Sequence, residues 1–479
     1  MYVCINMYEA GKTSHQSSRD HKPTQRRNIM DVKISETISV LPARAPFPHD
    51  HLIPLSHLDN DGNLQVPIRC LRVYTTTAHS PNPADPFRVI TAALSEALVH
   101  YPLFGGSLRR HPGNHRLELL CARGKGVPLI RATANFTLES VNYLDDPAAP
   151  FIERLVPDPN PEEELVNPFV LQVTVFACGG YCLGFSLIQS LCDGLAAAQF
   201  FDGMGELARG ATRPSLDPVL ERPAQVGPRD PPHVEAPWHE FLSLDKSSSP
   251  YGHISGSARR ECFSVEDECL DRFRTTLFEQ SGLKFTAFEA LGAYIWRAKV
   301  KASGIVDGEK VKFVYSVNIR KLLKSPLPDG YCGNACVPVY VQLSAKELVE
   351  QPIWETAHLI KKSKFNATEE YVRSFIDFQE LNYQEGITAG KRVSSFINWR
   401  HYDHSTQDFG SGGPVSILPI SRKFLGSVEP CFFLPHSSLD LGKKNGFRVL
   451  VFLPNTTLPS FKEEMEKFSN EEFGLVDKK

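Results

Sequence analysis

The feature that most constrains this 479-residue chain is a run of prolines near its middle. Prolines stand at positions 214, 218, 223, 228, 231, 232 and 237. Because each proline fixes its φ angle and lacks a backbone N–H, regular helix or strand is excluded over most of this stretch. The segments on either side are long enough for one domain each. We therefore predict a disordered extension at residues 1–29, domains at 30–208 and 251–479, and a crossover at 209–250.

Strand and helix patterns alternate in the first half. Apolar runs predict strands at 66–74, 117–121, 169–177 and 181–186, the last two joined by a Gly-Gly turn into a hairpin. Apolar residues at helical spacing predict a helix over 86–98. Asp193 opens another helix directly after the hairpin. A strand that leads into a helix start is a natural place for a site, because a loop and a helix N-terminus converge there.

The second half repeats these patterns. Thr286 and Glu289 have the spacing of a capping box and predict a helix start. Further strands are predicted at 311–317, 415–420, 431–434 and 447–453, and a closing helix at 458–468. Because strands and helices are mixed in both halves, we expect an α/β protein with two similar layers.

Composition excludes several classes of protein. A net charge of -3 gives no overall field that would gather nucleic acid. No stretch reaches the roughly 18 apolar residues of a membrane span, and the N-terminus lacks an apolar signal core, so we expect a cytoplasmic location. The eleven cysteines form no C-x-x-C pair, which favours reduced thiols over a metal site. No bound metal, nucleotide or flavin is indicated.

Two motifs occur in a defined order. Gln189 begins Q-S-L-C-D-G, and Asp408 begins D-F-G-S-G-G-P. K-F-T-A-F-E from Lys284 and V-N-I-R-K from Val317 lie between them. This ordered set resembles the plant BAHD acyltransferases, whose signatures are H-x-x-x-D-G and D-F-G-W-G-K-P. The resemblance extends over roughly residues 30–468.

The resemblance implies an α/β fold of two chloramphenicol-acetyltransferase-like domains, each a mixed sheet with helices, with an active-site channel at their interface. It implies transfer of an acetyl, benzoyl or hydroxycinnamoyl group to a small alcohol or amine. The donor would be acyl-CoA, which is a co-substrate and not a bound cofactor. The chain looks most similar to the subgroup of taxane acyltransferases, alcohol acyltransferases and polyamine hydroxycinnamoyltransferases. We expect a monomer without a nucleic-acid or membrane partner.

Roles for individual residues follow from the same resemblance. Asp193 matches a structural aspartate that pairs with an arginine, here Arg320. Lys284 and Thr286 match positions near the phosphates of coenzyme A, although an exposed lysine before a capping threonine explains the same letters. The second signature matches a loop that shapes the channel, and its residues here are Asp408, Phe409, Gly410 and Ser411.

The chain departs from the family at two positions. Gln189 stands where the family has its general-base histidine, and an amide does not accept a proton near neutral pH. Loss of a positioned base typically lowers a rate by about 10²–10⁴-fold. Ser411 stands in place of a tryptophan, so we expect a looser loop.

Three interpretations of the missing histidine remain open. In the first, the enzyme is active and Gln189 orients the acceptor. A different residue then takes the proton, and the candidates are Cys192, His401 and His404. In the second, the chain is a catalytically silent homologue that binds a ligand or partner without turnover. In the third, it is the product of a decaying gene.

Overall fold

The computed structural model describes residues 30–76, 84–145, 149–158, 160–245, 251, 258–400, 404–440 and 445–471. The predicted extension at 1–29 and the candidate base His401 lie outside the described residues. Two six-stranded mixed sheets dominate the described part of the chain, and smaller sheets of two and three strands accompany them.

The first half contributes eight strands and two helices to the described structure. They are β1 (Val32–Val40), β2 (His51–Pro54), β3 (Pro67–Tyr74), α1 (Pro86–His100), β4 (Ser107–Arg110), β5 (Leu117–Cys121), β6 (Val127–Ala134), β7 (Phe169–Phe176), β8 (Tyr181–Ile188) and α2 (Gly194–Ala208). The predicted strands, hairpin and helices of this half are confirmed, with ends that differ by a few residues. The prediction did not include β1, β2, β4 or β6.

Helix α1 begins where its sequence indicates. Asp85 caps it by accepting a hydrogen bond from the Phe87 N–H at 3.1 Å, and Pro86 occupies the first turn. The buried side chains of Ile90, Leu94 and Leu98 recur at helical spacing and belong to the core of this half. Helices α1 and α2 lie against each other and cover one face of the first sheet.

Between α2 and the second sheet, the described chain is mostly irregular and carries short elements. These are a 3-10 turn at Ala224–Val226, α3 (Trp238–Phe241) and β9 (Ser243–Leu244). The elements that follow are β10 (Ala258–Glu266), α4 (Asp267–Ser281), α5 (Ala287–Ser303), β11 (Lys310–Asn318), β12 (Cys336–Ser344), α6 (Ala345–Glu350), α7 (Ile353–Asn366), α8 (Glu369–Asn382), β13 (Ile387–Thr388), β14 (Val393–Asn398), β15 (Ser416–Pro419), β16 (Cys431–Pro435), β17 (Gly446–Pro454) and α9 (Leu458–Ser469).

The order of strands in the two large sheets crosses the predicted domain boundary. The second sheet runs β10, β17, β16, β14, β11, β12 and uses only strands from the second half. The first sheet runs β1, β6, β7, β8, β3, β15. Strand β15 comes from the stretch 251–479 that we predicted as the C-terminal domain, yet it pairs antiparallel with β3. Strand pairing depends on hydrogen bonds between distant residues, which a local pattern does not encode.

An apolar cluster joins the two large sheets. Leu71 and Val73 of β3 belong to the same buried cluster as Phe432 of β16 and Leu450 of β17. Because these side chains come from both sheets, the two halves share a core and hold each other in a defined orientation.

No helix in the described ranges is long and apolar enough to cross a membrane.

Candidate active site

The site is built where β8 leads into α2. Strand β8 is buried along its whole length, and the chain turns through residues 189–193 before the helix begins. Asp193 is the N-cap residue, and its Oδ1 accepts a hydrogen bond from the Ala196 N–H at 3.0 Å. The turn therefore places Gln189 and Asp193 at one end of the first sheet.

Asp193 is paired across the two halves. Arg320, just after β11, donates from Nη1 to Oδ2 at 2.7 Å and from Nη2 to Oδ1 at 3.0 Å. The Ala335 N–H also donates to Oδ2, at 2.9 Å. Burial lowers the pKa of Arg320, but Asp193 outweighs this effect and raises the pKa above its usual value. The carboxylate is thus satisfied on both oxygens, as a structural role requires.

A cavity of about 740 Å³ lies beside this corner, between the two large sheets. Gln189 and Asp193 line it from the first half, and Tyr315, Asn334 and Phe396 line it from the second. A space of this size, mostly apolar with a few polar groups, is typical of a small-molecule site.

Gln189 faces this cavity but is held only through its backbone. Its N–H donates to the Val66 carbonyl at 3.0 Å, and its carbonyl accepts from Asn334 Nδ2 at 3.0 Å. The side chain is 9% exposed, and its Oε1 has no hydrogen-bond partner in the described part of the chain. The amide is therefore available to a ligand, although it does not take up a proton.

Two of the three candidate replacement bases lie in the wall of the same cavity. They are Cys192 and His404. Burial raises the pKa of the Cys192 thiol well above its ordinary value, so this cysteine stays a neutral thiol and does not act as a base. His404 carries an imidazole, which is the side chain best suited to general-base catalysis near neutral pH.

The D-F-G loop packs on the first half. Asp408 Oδ1 accepts from the N–H groups of Gly410 at 2.7 Å and Gly412 at 2.8 Å. The buried Phe409 ring meets Tyr74 edge-on, with 5.6 Å between the ring centroids. Ser411 Oγ lies 3.2 Å from the Tyr181 hydroxyl. None of residues 408–411 lines the cavity. Any effect of this loop on the channel is therefore indirect and acts through the residues of the first half that it packs against.

The predicted coenzyme A residues lie at the start of α5. Thr286 forms the predicted capping box with Glu289 and also lines the cavity. Lys284 is exposed, is absent from the cavity wall, and accepts a bond from Lys361 Nζ through its carbonyl at 2.8 Å. Lys364 of α7, which we did not predict, lines the cavity and lies 2.5 Å from Glu289 Oε1. The K-K-S-K pattern at residues 361–364 is the sequence feature that could have indicated a lysine at this site.

Comparison with known proteins decides the family. The family model described as "Transferase family" matches residues 30–468. The chain belongs to this family, the BAHD acyltransferases. Spermidine coumaroyl-CoA acyltransferase of Arabidopsis thaliana is 32% identical over 474 residues, which cover 94% of this chain and 99% of that relative. Taxadien-5-alpha-ol O-acetyltransferase of Taxus chinensis is 30% identical and covers 91% of this chain and 97% of that relative.

Solved structures agree on the fold of this BAHD chain. Vinorine synthase matches with a TM-score of 0.66 at 18% identity, covering 90% of this chain and 96% of that one. F. graminearum TRI101, solved with coenzyme A and T-2 mycotoxin, matches with a TM-score of 0.69 at 15% identity, covering 88% and 98%. The predicted family and the predicted fold of two chloramphenicol-acetyltransferase-like domains are both confirmed. Acyl transfer from acyl-CoA is the chemistry of the BAHD family.

A further cavity residue was absent from the motif analysis. Asp61 lines the cavity and is 5% exposed. It lies in a loop between β2 and β3, two residues after Asp59, which is buried and paired with Arg222 at 2.7 Å. The letters D-N-D-G were visible in the sequence, but nothing in them distinguishes the paired carboxylate from the other one.

Proposed function

We propose that the protein transfers an acetyl, benzoyl or hydroxycinnamoyl group from acyl-CoA to a small alcohol or amine. The observation that carries this proposal is the cavity between the two halves, with the Asp193–Arg320 pair intact beside it. The named relatives, a coumaroyl-CoA acyltransferase and an O-acetyltransferase, support the donor class.

The reaction exchanges one bond to the acyl carbon for another. The acceptor oxygen or nitrogen bonds to the thioester carbonyl carbon, the carbon–sulfur bond breaks, and coenzyme A leaves as its thiolate. The proton of the acceptor then ends on that thiolate, directly or through a base. Gln189 has an amide and takes no part in the proton transfer, but its Oε1 is free to accept a hydrogen bond from the nucleophile and orient it.

His404 is the residue that we propose as the alternative base, because it is an imidazole in the wall of the same cavity. We propose that Lys284, Thr286 and Lys364 bind the phosphates of coenzyme A. Two of these three line the cavity, and two carry the positive charge that phosphate requires.

A second candidate function rests on Gln189 itself. If no group replaces the lost histidine, the protein binds acyl-CoA or acceptor in the cavity without turnover. The observation in favour is that the described turn from 189 to 193 keeps the structural aspartate and lacks the base.

The deciding experiment measures release of free coenzyme A from acetyl-, benzoyl- and hydroxycinnamoyl-CoA with alcohol and amine acceptors. Native protein is compared with Gln189→His, His404→Gln and Gln189→Asn, the last of which keeps an amide but shortens it. Turnover by the native protein that falls about 10²–10⁴-fold in His404→Gln supports the acyltransferase with a relocated base. Turnover by Gln189→His alone supports the silent homologue.

A further inference from the structure

Asp61 is a buried carboxylate without a counter-ion. Its Oδ1 accepts two hydrogen bonds, both at 2.9 Å, from the N–H and the Nδ2 of Asn63. Both donors are neutral, and no cationic side chain in the described ranges forms an ion pair with it. Buried carboxylates are normally paired, because removal of a charge from water is costly. Asp61 therefore lacks the partner that its environment requires.

The local structure does not explain the charge. Asp61 caps a single 3-10 turn at Gly62–Leu64 by accepting from the Asn63 N–H. This bond needs one neutral oxygen acceptor, which an asparagine also supplies. Burial raises the pKa of Asp61 more than the hydrogen bonds from Asn63 and Gln379 lower it, so the unliganded protein holds this charge at a cost.

None of the cationic side chains that line the cavity in the described ranges pairs with Asp61. Lys364 pairs with Glu289, and Arg400 lies 3.0 Å from Asp267. Arg72 donates from Nε to the Gln407 side chain and lies over the Phe201 ring. Leu64, Phe424 and Leu425, which line the cavity together with Asp61, are apolar. A positive group from a ligand is consequently the missing partner, and apolar walls suit a hydrocarbon chain next to it.

Gln189 supplies a second acceptor on the same wall. Asn334 connects the two regions, since its Nδ2 donates to the Gln189 carbonyl at 3.0 Å and to Asp59 Oδ1 at 3.0 Å, two residues before Asp61. The side-chain oxygen of Gln189 has no partner among the described residues. A ligand with two separate N–H donor groups satisfies both acceptors, whereas a simple alcohol satisfies one.

We infer that the acceptor is a di- or polyamine whose non-reacting ammonium group binds Asp61 while its neutral amine, oriented by Gln189, attacks the thioester. This inference rests on the proposed acyl transfer and names its substrate class. The reacting nitrogen forms an amide bond to the acyl carbon, the carbon–sulfur bond breaks, and the proton leaves with coenzyme A as its thiol. The second ammonium group keeps its proton throughout and stays bound to the carboxylate.

The test compares cadaverine with pentylamine, which differ only in the second amine. Turnover is followed as release of free coenzyme A from hydroxycinnamoyl-CoA by the native protein and by Asp61→Asn. Asparagine keeps the cap and removes the charge. Asp307→Asn, an exposed position away from the cavity wall, makes the same change in net charge and serves as the control.

We expect Asp61→Asn to raise KM for cadaverine about 30-fold or more, because a buried charge pair is lost. KM for pentylamine should stay within about twofold, and Asp307→Asn should change neither value. Equal effects of Asp61→Asn on both amines, or no effect on cadaverine, would overturn the inference.

Direct binding separates this inference from the proposed function. Calorimetric titration of cadaverine into native protein and Asp61→Asn requires no turnover. Binding to the native protein that weakens about 30-fold in the variant supports the subsite, even when no acceptor is acylated, and only acyl transfer then fails. Absence of cadaverine binding to the native protein overturns the subsite, even when alcohols are acylated.

Discussion

Asp193 and Asp61 are two carboxylates of nearly equal burial, 4% and 5% exposed, in the wall of one cavity. Asp193 has two bonds from Arg320 and two from backbone N–H groups. Among the described residues, Asp61 has only neutral donors, which are Asn63 and the side chain of Gln379. Burial alone therefore does not indicate the role of a carboxylate. The hydrogen-bond and ion-pair partners of the carboxylate indicate its role. A carboxylate that the protein pairs with a cation stabilises the scaffold, and a carboxylate without a cationic partner is available to a ligand.

The same isosteric change should act in opposite directions at the two positions. We expect Asp193→Asn to lower the free energy of unfolding by about 3–5 kcal/mol, because Arg320 is left buried without its counter-charge. Denaturant unfolding at constant salt measures this loss. Asp217→Asn removes an exposed partner of Arg213 and should change stability by at most about 1 kcal/mol. A loss below about 1 kcal/mol in Asp193→Asn would contradict the structural role.

Asp61→Asn should instead stabilise the unliganded protein, by about 1–3 kcal/mol at neutral pH, since a buried charge without a counter-ion is removed. The pH dependence follows from the raised pKa of Asp61. The native state holds the Asp61 proton more tightly than the unfolded chain, so native stability falls as pH rises from the ordinary value of 3.8 through the raised pKa. The advantage of the variant grows over this window and vanishes below it.

Thermal or denaturant unfolding at several pH values measures this difference between native protein and Asp61→Asn. Saturating cadaverine should lower the advantage of the variant by about 2 kcal/mol, because it binds the native protein about 30-fold more tightly than Asp61→Asn. A destabilised Asp61→Asn at neutral pH would mean that the protein itself supplies a favourable partner for this charge.

Gln189→Met should have the smallest effect, a change of at most about 0.5 kcal/mol in the free energy of unfolding. The Gln189 side-chain oxygen makes no hydrogen bond within the described structure, and methionine has a similar length and volume. Denaturant unfolding of Gln189→Met, measured together with that of Asp193→Asn, compares two positions of the same turn. A loss above about 2 kcal/mol would show that the amide is part of the scaffold and not a ligand contact.

Local signals predicted several parts of this fold correctly. The capping box of Thr286 and Glu289 and the cap at Asp85 involve residues two or three positions apart, so the sequence contains both partners. The hairpin of β7 and β8 is also local, because its two strands follow each other through a short turn. The placement of β15 beside β3 was missed, because its partners are more than 300 residues away along the chain.

The sequence by itself determined the family, the start of α2 at Asp193 and the absence of a histidine at position 189, since each depends on residue identity or on near neighbours. Only the tertiary structure decided which groups meet. It paired Asp193 with Arg320, 127 positions away, and placed Asp61 in the wall of the cavity with no cationic partner among the described residues. The physical reason is that the energy of a buried charge depends on its neighbours in space, and those neighbours come from distant parts of the chain.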